Sequence, residues 1–493
     1  MAWAGRIPAC AILCPMRFPA AALLLCTLLP AQNLPVSGHR YPRLAVRNAI
    51  IADGNGTPAS GPKDILIENN RIVSVASSAR HLPADAEIDA KGKYVLPGLI
   101  DAHVHTQDSR GGIPQPLEYE FKIWLMCGIT TVRDVGSVTT QTLELRRKSA
   151  AGEIAAPRFL VYPMFNNAPE PTNAEEARAR VRKLKEMGVD GIKLMGARRD
   201  LMEAMEDEAH KLGLPVAHHA GVEETNAWDD IRFGTRSIEH WYGIPDAAIP
   251  GGVQNFPSNY NYLDESDRFR WAGHLWREAD PAKLHEVLAA MVKANVAWVP
   301  TLDIYEASRD LQRAQTQPWF RDYLHPALEE FFRPNPANHG SYFLHWTSTD
   351  EVFWKENYRI WMSAVRDFEK LGGLIGAGDD AGFIYQIYGF GLLRELELQQ
   401  EAGFHPIKVI QHATGNNAKI LGMEGQTGQV RPGFLADLIV VNGNPLEDFK
   451  VLYPGNGHGV EWTIKDGIPY HAPTLAAEVR EIVAKARAAT PRK

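Results

Sequence analysis

Cysteine is scarce in this chain: four in 493 residues, three of which, Cys10, Cys14 and Cys26, fall before residue 32. Only Cys127 follows, so an intrachain disulfide framework is ruled out for the body of the protein. A dense Lys/Arg cluster is also lacking, and the formal net charge is −7. Both facts argue against nucleic acid or an anionic membrane surface as the main partner. The Gly-rich turn that opens a dinucleotide-binding unit is absent as well. Long apolar runs are limited to one, from Phe18 to Leu29, preceded by Arg17 and bracketed by Pro19 and Pro30. It is too short to span a bilayer and reads as an export signal over residues 1–31, cleaved near Ala31. The expected location is periplasmic or secreted, with no membrane span in the mature chain.

What the sequence does contain is ordinary globular composition, 45% hydrophobic and 23% charged, over a length that exceeds a single typical core. Residues 42–97 read as short strands: Leu44–Ile51, Asp64–Glu68, Arg71–Ala76 and Lys93–Leu96. Glu68-Asn-Asn-Arg71 is placed to form a tight hairpin. A second β-rich stretch, residues 428–472, follows much later. The economical reading is a small β-sandwich built from both chain ends. The remaining 473–493 reads as a solvated helical tail.

Between them, residues 98–427 alternate strand and helix, the signature of a parallel sheet. Eight strands are predicted: Leu99–His105, Thr130–Val135, Phe159–Pro163, Gly191–Met195, Pro215–His219, Arg236–His240, Ala297–Thr301 and Leu374–Gly378. Eight such units suit a (β/α)₈ TIM barrel, an α/β fold, with an open doubly wound sheet as the alternative. Two excursions, 244–279 and 302–371, are too long for connectors. The second is rich in Trp, Tyr and Phe. It suits a lid, a pocket wall, a packing layer or the interface of a homo-oligomer.

Barrel enzymes place their chemistry at the C-terminal ends of strands. The first predicted strand ends in His103-Val104-His105, two imidazoles on one face. That spacing alone is close to a chance event. The fourth strand carries Lys193 inside an apolar run. The fifth ends in His218-His219, of which only one can face the barrel mouth; His219 is assigned there and His218 to the space between sheet and helices. The sixth ends in Glu239-His240, with Glu239 out of phase as a structural partner. The eighth runs into Asp379-Asp380, where the same choice of face arises. Imidazole and carboxylate are the groups that bind Zn²⁺. A bare ammonium at Lys193 would be costly to bury unless paired or modified.

Several segments carry a resemblance: Leu96-Pro-Gly-Leu-Ile-Asp-Ala-His-Val-His105, Gly128-Ile-Thr-Thr-Val-Arg-Asp-Val135, Ile192-Lys193, Val216-Ala-His-His-Ala220, Ser237-Ile-Glu-His240, Gly376-Ala-Gly-Asp-Asp-Ala-Gly382 and Gly433-Phe-Leu-Ala-Asp-Leu-Ile-Val-Val441. Over residues 42–470 the chain resembles the metal-dependent amidohydrolases, in the branch of Xaa-Pro/Xaa-Arg dipeptidases and imidazolonepropionase-like enzymes. The resemblance implies that His103, His105 and Asp380 hold one divalent ion and that His219 and His240 hold a second. Lys193 would be N6-carboxylysine, its carbamate bridging the two. Asp379 stands where that family usually has Thr. Zn²⁺ suits the imidazole-rich set, as one ion or two. Asp380 would be the catalytic base and acid, and metal-activated hydroxide the nucleophile.

The expected substrate is a small molecule or short peptide, a dipeptide or N-acyl amino acid cleaved at a C–N amide bond. Tyr242, Tyr305, Arg309, Tyr385 and Tyr388 are the candidate substrate contacts near predicted rim positions. A cyclic amide or imidazolone hydrolase with the same metals is the second reading. A non-catalytic binding barrel is the third.

Overall fold

Strands from both chain ends meet in one sheet. The computed structural model describes residues 34–110, 112–220, 225–252, 256–261, 264–336, 339–455 and 457–489; the segment 1–31 read as an export signal lies outside them. Arg43–Ile51, Ser60–Glu68, Arg71–Ser77, Ala86–Asp89 and Tyr94–Pro97 join Leu438–Asn442, Gly459–Lys465 and Ile468–His471 in an eight-stranded sheet. The seam between the ends is the antiparallel pair Leu438–Asn442 with Tyr94–Pro97, Ile439 opposite Leu96. Alternation sorts the side chains: Val95, Leu438 and Val440 turn into a core with Leu44, Val46, Ile65 and Ile67, whereas Leu96, Ile439 and Val441 turn into the larger core of the protein. The expected hairpin forms, with Glu68 opposite Arg71 and Asn69 at φ 54°.

All eight strands belong to a single hydrogen-bonded sheet. The cause lies in Arg43–Ile51. Its first half pairs with Ala86–Asp89 and its end with Tyr94 and Val95. A register shift between Val46 and Ala49, with Asn48 at φ 58°, lets one strand serve two partners without a break.

The central region is α/β with parallel strands. One sheet orders Arg158–Tyr162, Ile129–Val135 and Leu99–Val104; the other orders Ile192–Met195, Val216–His219, Ser237–Glu239 and Ala297–Val299. Backbone hydrogen bonds from Lys193 N to Pro163 O (2.9 Å) and from Phe165 N to Lys193 O (2.7 Å) link them on one side. On the other side, residues 374–380 lie between the two. Trp298 N donates to Leu374 O (2.9 Å), Gly376 N to Trp298 O (2.9 Å), Ala102 N to Ala377 O (3.0 Å) and Asp380 N to His103 O (2.8 Å).

The predicted eighth strand, Leu374–Gly378, is therefore present as a sparse ladder rather than a regular strand, with a single bridge at Ile375. Asn417 supplies the missing rungs. Its amide nitrogen donates to Ile100 O (2.6 Å) and Ala377 O (2.7 Å), and its Oδ1 accepts from Ala377 N (3.1 Å). Gly378 allows the approach, because a Cβ there would lie 2.8 Å from the His103 backbone nitrogen. Asn417 is fully buried, so Asn417→Ala removes three hydrogen bonds at once and leaves Ala377 N without its side-chain acceptor. A loss of about 3 kcal/mol is expected, measured by urea unfolding with its m-value unchanged.

The two excursions build one aromatic mass beside the central sheets. Trp354, Tyr358 and Trp361 on the helix Ser348–Lys370 are buried, and Trp354 stacks on Tyr305 with centroids 6.0 Å apart. Phe269 on the helix Glu265–Ala272 stacks on Tyr342 at 4.0 Å. The C-terminal tail is helical over Ala472–Ala489 but is docked, not free in solvent. Its stripe of Leu475, Ala476, Val479 and Val483 is buried, and Arg480 donates to the Tyr323 hydroxyl (2.7 Å). No helix among the described residues is long and apolar enough to cross a membrane.

Candidate metal centre

The strand ends deliver their polar groups to one point. His103, His240 and Asp380 each place a ligand atom within 4.8 Å of the others. His105 Nε2 lies 3.0 Å from Asp380 Oδ1, His103 Nε2 3.7 Å from the same oxygen, and His240 Nε2 3.8 Å from Oδ2. Lys193 Nζ is 3.5 Å from His103 Nε2, and the His219 ring centroid is 4.6 Å from that of His240. All six predicted ligand residues line one cavity of about 960 Å³. Four residues that shape it are strained: His240 (φ 61°), Thr301 (φ 47°), Asp380 (φ 47°) and Ile384 (φ 45°) sit in the left-handed region without being glycine. Such residues cost about 1–3 kcal/mol each and cluster at functional sites.

Second contacts hold His103 and His240 each in one orientation. His103 Nδ1 donates to Glu239 Oε2 (2.7 Å), which leaves its Nε2 lone pair facing Lys193 and Asp380. Glu239 is itself held by Arg133 Nη2 (2.7 Å to both oxygens) and by the Ser237 hydroxyl (2.6 Å). His240 Nδ1 meets Thr301 Oγ1 at 2.6 Å, again freeing Nε2 for the cavity. His218 behaves as a structural histidine, fully buried with Nδ1 2.7 Å from Asp230 Oδ1 on the helix Ala227–Phe233. Arg133 and Thr301 were not foreseen. Arg133 did carry a signal, a charged residue inside an apolar strand, the same signal that marked Lys193; Thr301 carried none.

The electrostatics suit a cation. Burial pushes His103, His219 and His240 well below the ordinary imidazole value, and the neighbouring Lys193 or His219 pushes the same way. Burial thus favours the neutral ring, the form in which imidazole binds metal. Burial brings Lys193 down to about 8, although Glu239 and Asp380 pull upward. Burial would raise Asp380, but the adjacent His103 and His105 more than offset it and hold the carboxyl below its usual range. Asp380 Oδ1 is buried without a well-aligned hydrogen-bond donor. A buried carboxylate oxygen left open among imidazole nitrogens is a site that fits a divalent ion.

Asp379 points elsewhere. Its oxygens accept from Ala381 N (3.0 Å) and Gly389 N (3.1 Å), and burial raises it to about 7. It packs against Asp101, whose carboxyl burial raises well above the usual range, and one proton shared by the pair removes the repulsion.

Of the predicted substrate contacts, Tyr242 and Tyr305 lie on the cavity wall. Tyr242 stacks on His219 (4.8 Å) and Tyr305 meets His240 edge-on (5.8 Å). The other three do not. Arg309 turns away to Glu401 (2.7 and 2.8 Å) and lies over the Tyr358 ring. Tyr385 is held by Ser341 (3.0 Å) and Gln315 (3.1 Å). The Tyr388 hydroxyl is consumed by Arg110 (2.9 Å) and Gln115 (2.6 Å). Closeness in sequence to a strand end was a poor guide, because each is turned by partners far away in sequence: Glu401, Ser341 and Arg110.

Glu239→Gln is expected to weaken metal affinity about 10- to 100-fold, since the amide no longer fixes the His103 tautomer. It also leaves Arg133 buried without a counter-charge, so the melting temperature should fall in the metal-free protein. Competition titration with a chromogenic chelator, beside calorimetry of the metal-free form, separates the two effects.

Comparison with known proteins agrees with this geometry. Residues 94–254 and 375–467, just over half of the chain, match the model of the amidohydrolase family. The L-hydantoinase of Paenarthrobacter aurescens is 28% identical over 160 residues, 31% of this chain and 32% of that protein. The dihydroorotase of Solibacter usitatus is 28% identical over 224 residues, 42% of this chain and 48% of that protein. The chain thus spans about a third to a half of the length of these curated relatives. Among solved structures, a Xaa-Pro dipeptidase with methionine bound in its active site aligns with 22% identity and a TM-score of 0.62, covering 87% of this chain and all of that one. An amidohydrolase aligns with 22% identity and a TM-score of 0.63, covering 87% and 99%. At these identities the structural likeness establishes the fold. The family match over both halves of the centre completes the assignment: the chain belongs to the amidohydrolase family.

Proposed function

We propose that this protein is a metal-dependent hydrolase that cleaves the C–N amide bond of a peptide-like substrate, a dipeptide or N-acyl amino acid, after export from the cytoplasm. The convergence of His103, His240 and Asp380, with Asp380 Oδ1 open among them, carries the reading. We take the parallel strands as a closed (β/α)₈ barrel, supported by the hydrogen bonds at Lys193 and along residues 374–380.

His103, His105 and Asp380 would hold one Zn²⁺ and His219 and His240 a second, with Lys193 as N6-carboxylysine between them. Ions held there would polarise the scissile carbonyl and acidify water. The chain's own groups do the rest. Asp380 is on the cavity wall and accepts the proton of the attacking water, then passes it to the leaving nitrogen. Glu239 and Thr301 keep the Nε2 atoms of His103 and His240 directed inward. Tyr242 and Tyr305 flank the bound amide. The relatives named hydantoinase and dihydroorotase favour a second reading, a cyclic amide hydrolase with the same centre.

Elemental analysis of zinc-supplemented protein is expected to find one to two ions per chain. A screen of dipeptides, N-acyl amino acids, cyclic imides and lactams then chooses the substrate. Activity confined to the cyclic compounds overturns the peptide reading. Absence of bound metal together with absence of any hydrolysis overturns the enzyme in favour of a binding barrel.

A further inference from the structure

Several aromatic rings face the candidate metal centre. Tyr242 lies flat on His219, Tyr305 meets His240 edge-on, and Phe383 meets His105 edge-on at 5.6 Å. Behind Tyr305, Phe269 extends the wall, with centroids 6.0 Å apart, and its own stack on Tyr342 keeps it in place. Phe383 stands on the other side, its ring seated on the Arg110 guanidinium at 4.3 Å. Both Phe269 and Phe383 reach the ring of His339, at 6.0 and 5.3 Å. They therefore form two aromatic walls that run from the imidazoles to a common far edge. That edge is polar: His339 Nδ1 and Arg268 Nη2 both approach Glu265 Oε1, at 2.7 and 3.1 Å.

The volume fits the same reading. About 960 Å³ is at the upper end of the range for pockets that enclose a drug-sized ligand. A single small amide ring or a proline side chain would fill only part of that volume. Apolar wall in contact with water is a site where a large apolar group gains free energy by binding, and facing rings favour another ring in offset or edge-on contact.

We propose that the slot between Phe269 and Phe383 receives an aromatic side chain adjacent to the scissile bond, so that the substrate class is a peptide-like amide of Phe, Tyr or Trp. As a statement about turnover this rests on the amide hydrolase reading above; as a statement about binding it does not. The test uses the full chain and a matched series of N-acetyl amino acids: glycine, proline, leucine, phenylalanine and tryptophan. In the zinc-loaded protein, kcat/KM for the two aromatic members is expected to exceed that for glycine and proline by about tenfold or more. Phe383→Leu and Phe269→Leu are each expected to compress that ratio by several-fold; circular dichroism checks that they are folded.

In parallel, calorimetric titration of the metal-free protein compares N-acetylphenylalanine with N-acetylglycine, with an expected Kd ratio of about ten or more. Hydrolysis with a flat profile, or with proline or glycine preferred, overturns the aromatic slot and leaves the hydrolase reading intact. Aromatic-selective binding without hydrolysis of any member supports the slot and overturns the hydrolase reading. Equal affinity for the two calorimetric ligands overturns the slot whatever the activity.

Discussion

Asp380→Asn is expected to reduce kcat at least a thousandfold, whereas Asp379→Asn keeps it within about tenfold of wild type. The two residues are adjacent and chemically identical, so the contrast isolates geometry. Asp380 faces the cavity, lies within 4 Å of the Nε2 atoms of His103, His105 and His240, and carries an oxygen with no well-aligned donor. An amide there cannot accept the proton of the attacking water, and it binds a cation more weakly than a carboxylate. Asp379 is buried against Asp101 and accepts from two backbone N–H groups. Burial already favours its neutral form, so an amide of the same shape keeps one of the two acceptors and removes a like-charge contact. The expected signature of Asp379→Asn is a small change in stability rather than in turnover. Steady-state kinetics with the best substrate from the screen decides. A dead Asp379→Asn beside an active Asp380→Asn would reverse the assignment.

The sequence made parts of this site legible because of period. A strand shows alternate residues to opposite faces, so His103 and His105 had to share one, and only one of His218 and His219 could face the mouth. His219 lines the cavity and His218 is buried against Asp230. Glu239, out of phase with His240, turns out to grip His103 from behind. The parallel strands were legible for the same reason, from apolar runs of the right length. Residues 374–378 were legible in place but not in form. Nothing local announces that a side chain forty residues later, Asn417, substitutes for ladder hydrogen bonds. The substrate contacts were least legible. Tyr242 directly follows a strand end and is fixed by it, but Arg309, Tyr385 and Tyr388 are oriented by partners such as Glu401, Ser341 and Arg110, which lie far away in sequence. Arg268, Phe269 and His339 reach the cavity from the two excursions, and their place depends on packing that no periodicity encodes.

Lys193→Met is expected to lower kcat at least a thousandfold, to lose at least one metal ion per chain, and to leave the metal-free protein no less stable than wild type. The last clause distinguishes the reading from a structural lysine. Lys193 is buried and sits 3.5 Å from His103 Nε2. If it served as a paired structural cation, removing it would leave Glu239 and Arg133 imbalanced and the fold would weaken. Those two already pair with each other at 2.7 Å, so the amine is surplus to that ion pair, and a thioether of similar volume relieves the cost of burying it. Burial also brings the amine to about 8, so roughly a tenth is neutral at pH 7, against a few parts in ten thousand for an ordinary lysine. Only the neutral amine can attack CO₂. The N–C bond forms, one C=O electron pair moves to oxygen, and the released proton goes to solvent, leaving a carbamate anion. That anion is what two cations held by His103, His105, Asp380, His219 and His240 would stabilise between them. Reconstitution of the metal-free wild type should therefore be faster and more complete with bicarbonate than in CO₂-free buffer. Lys193→Met should show no bicarbonate dependence. Full metal content and full activity in CO₂-free buffer would remove the carbamate from the scheme, while leaving the imidazoles and Asp380 as a one-metal site.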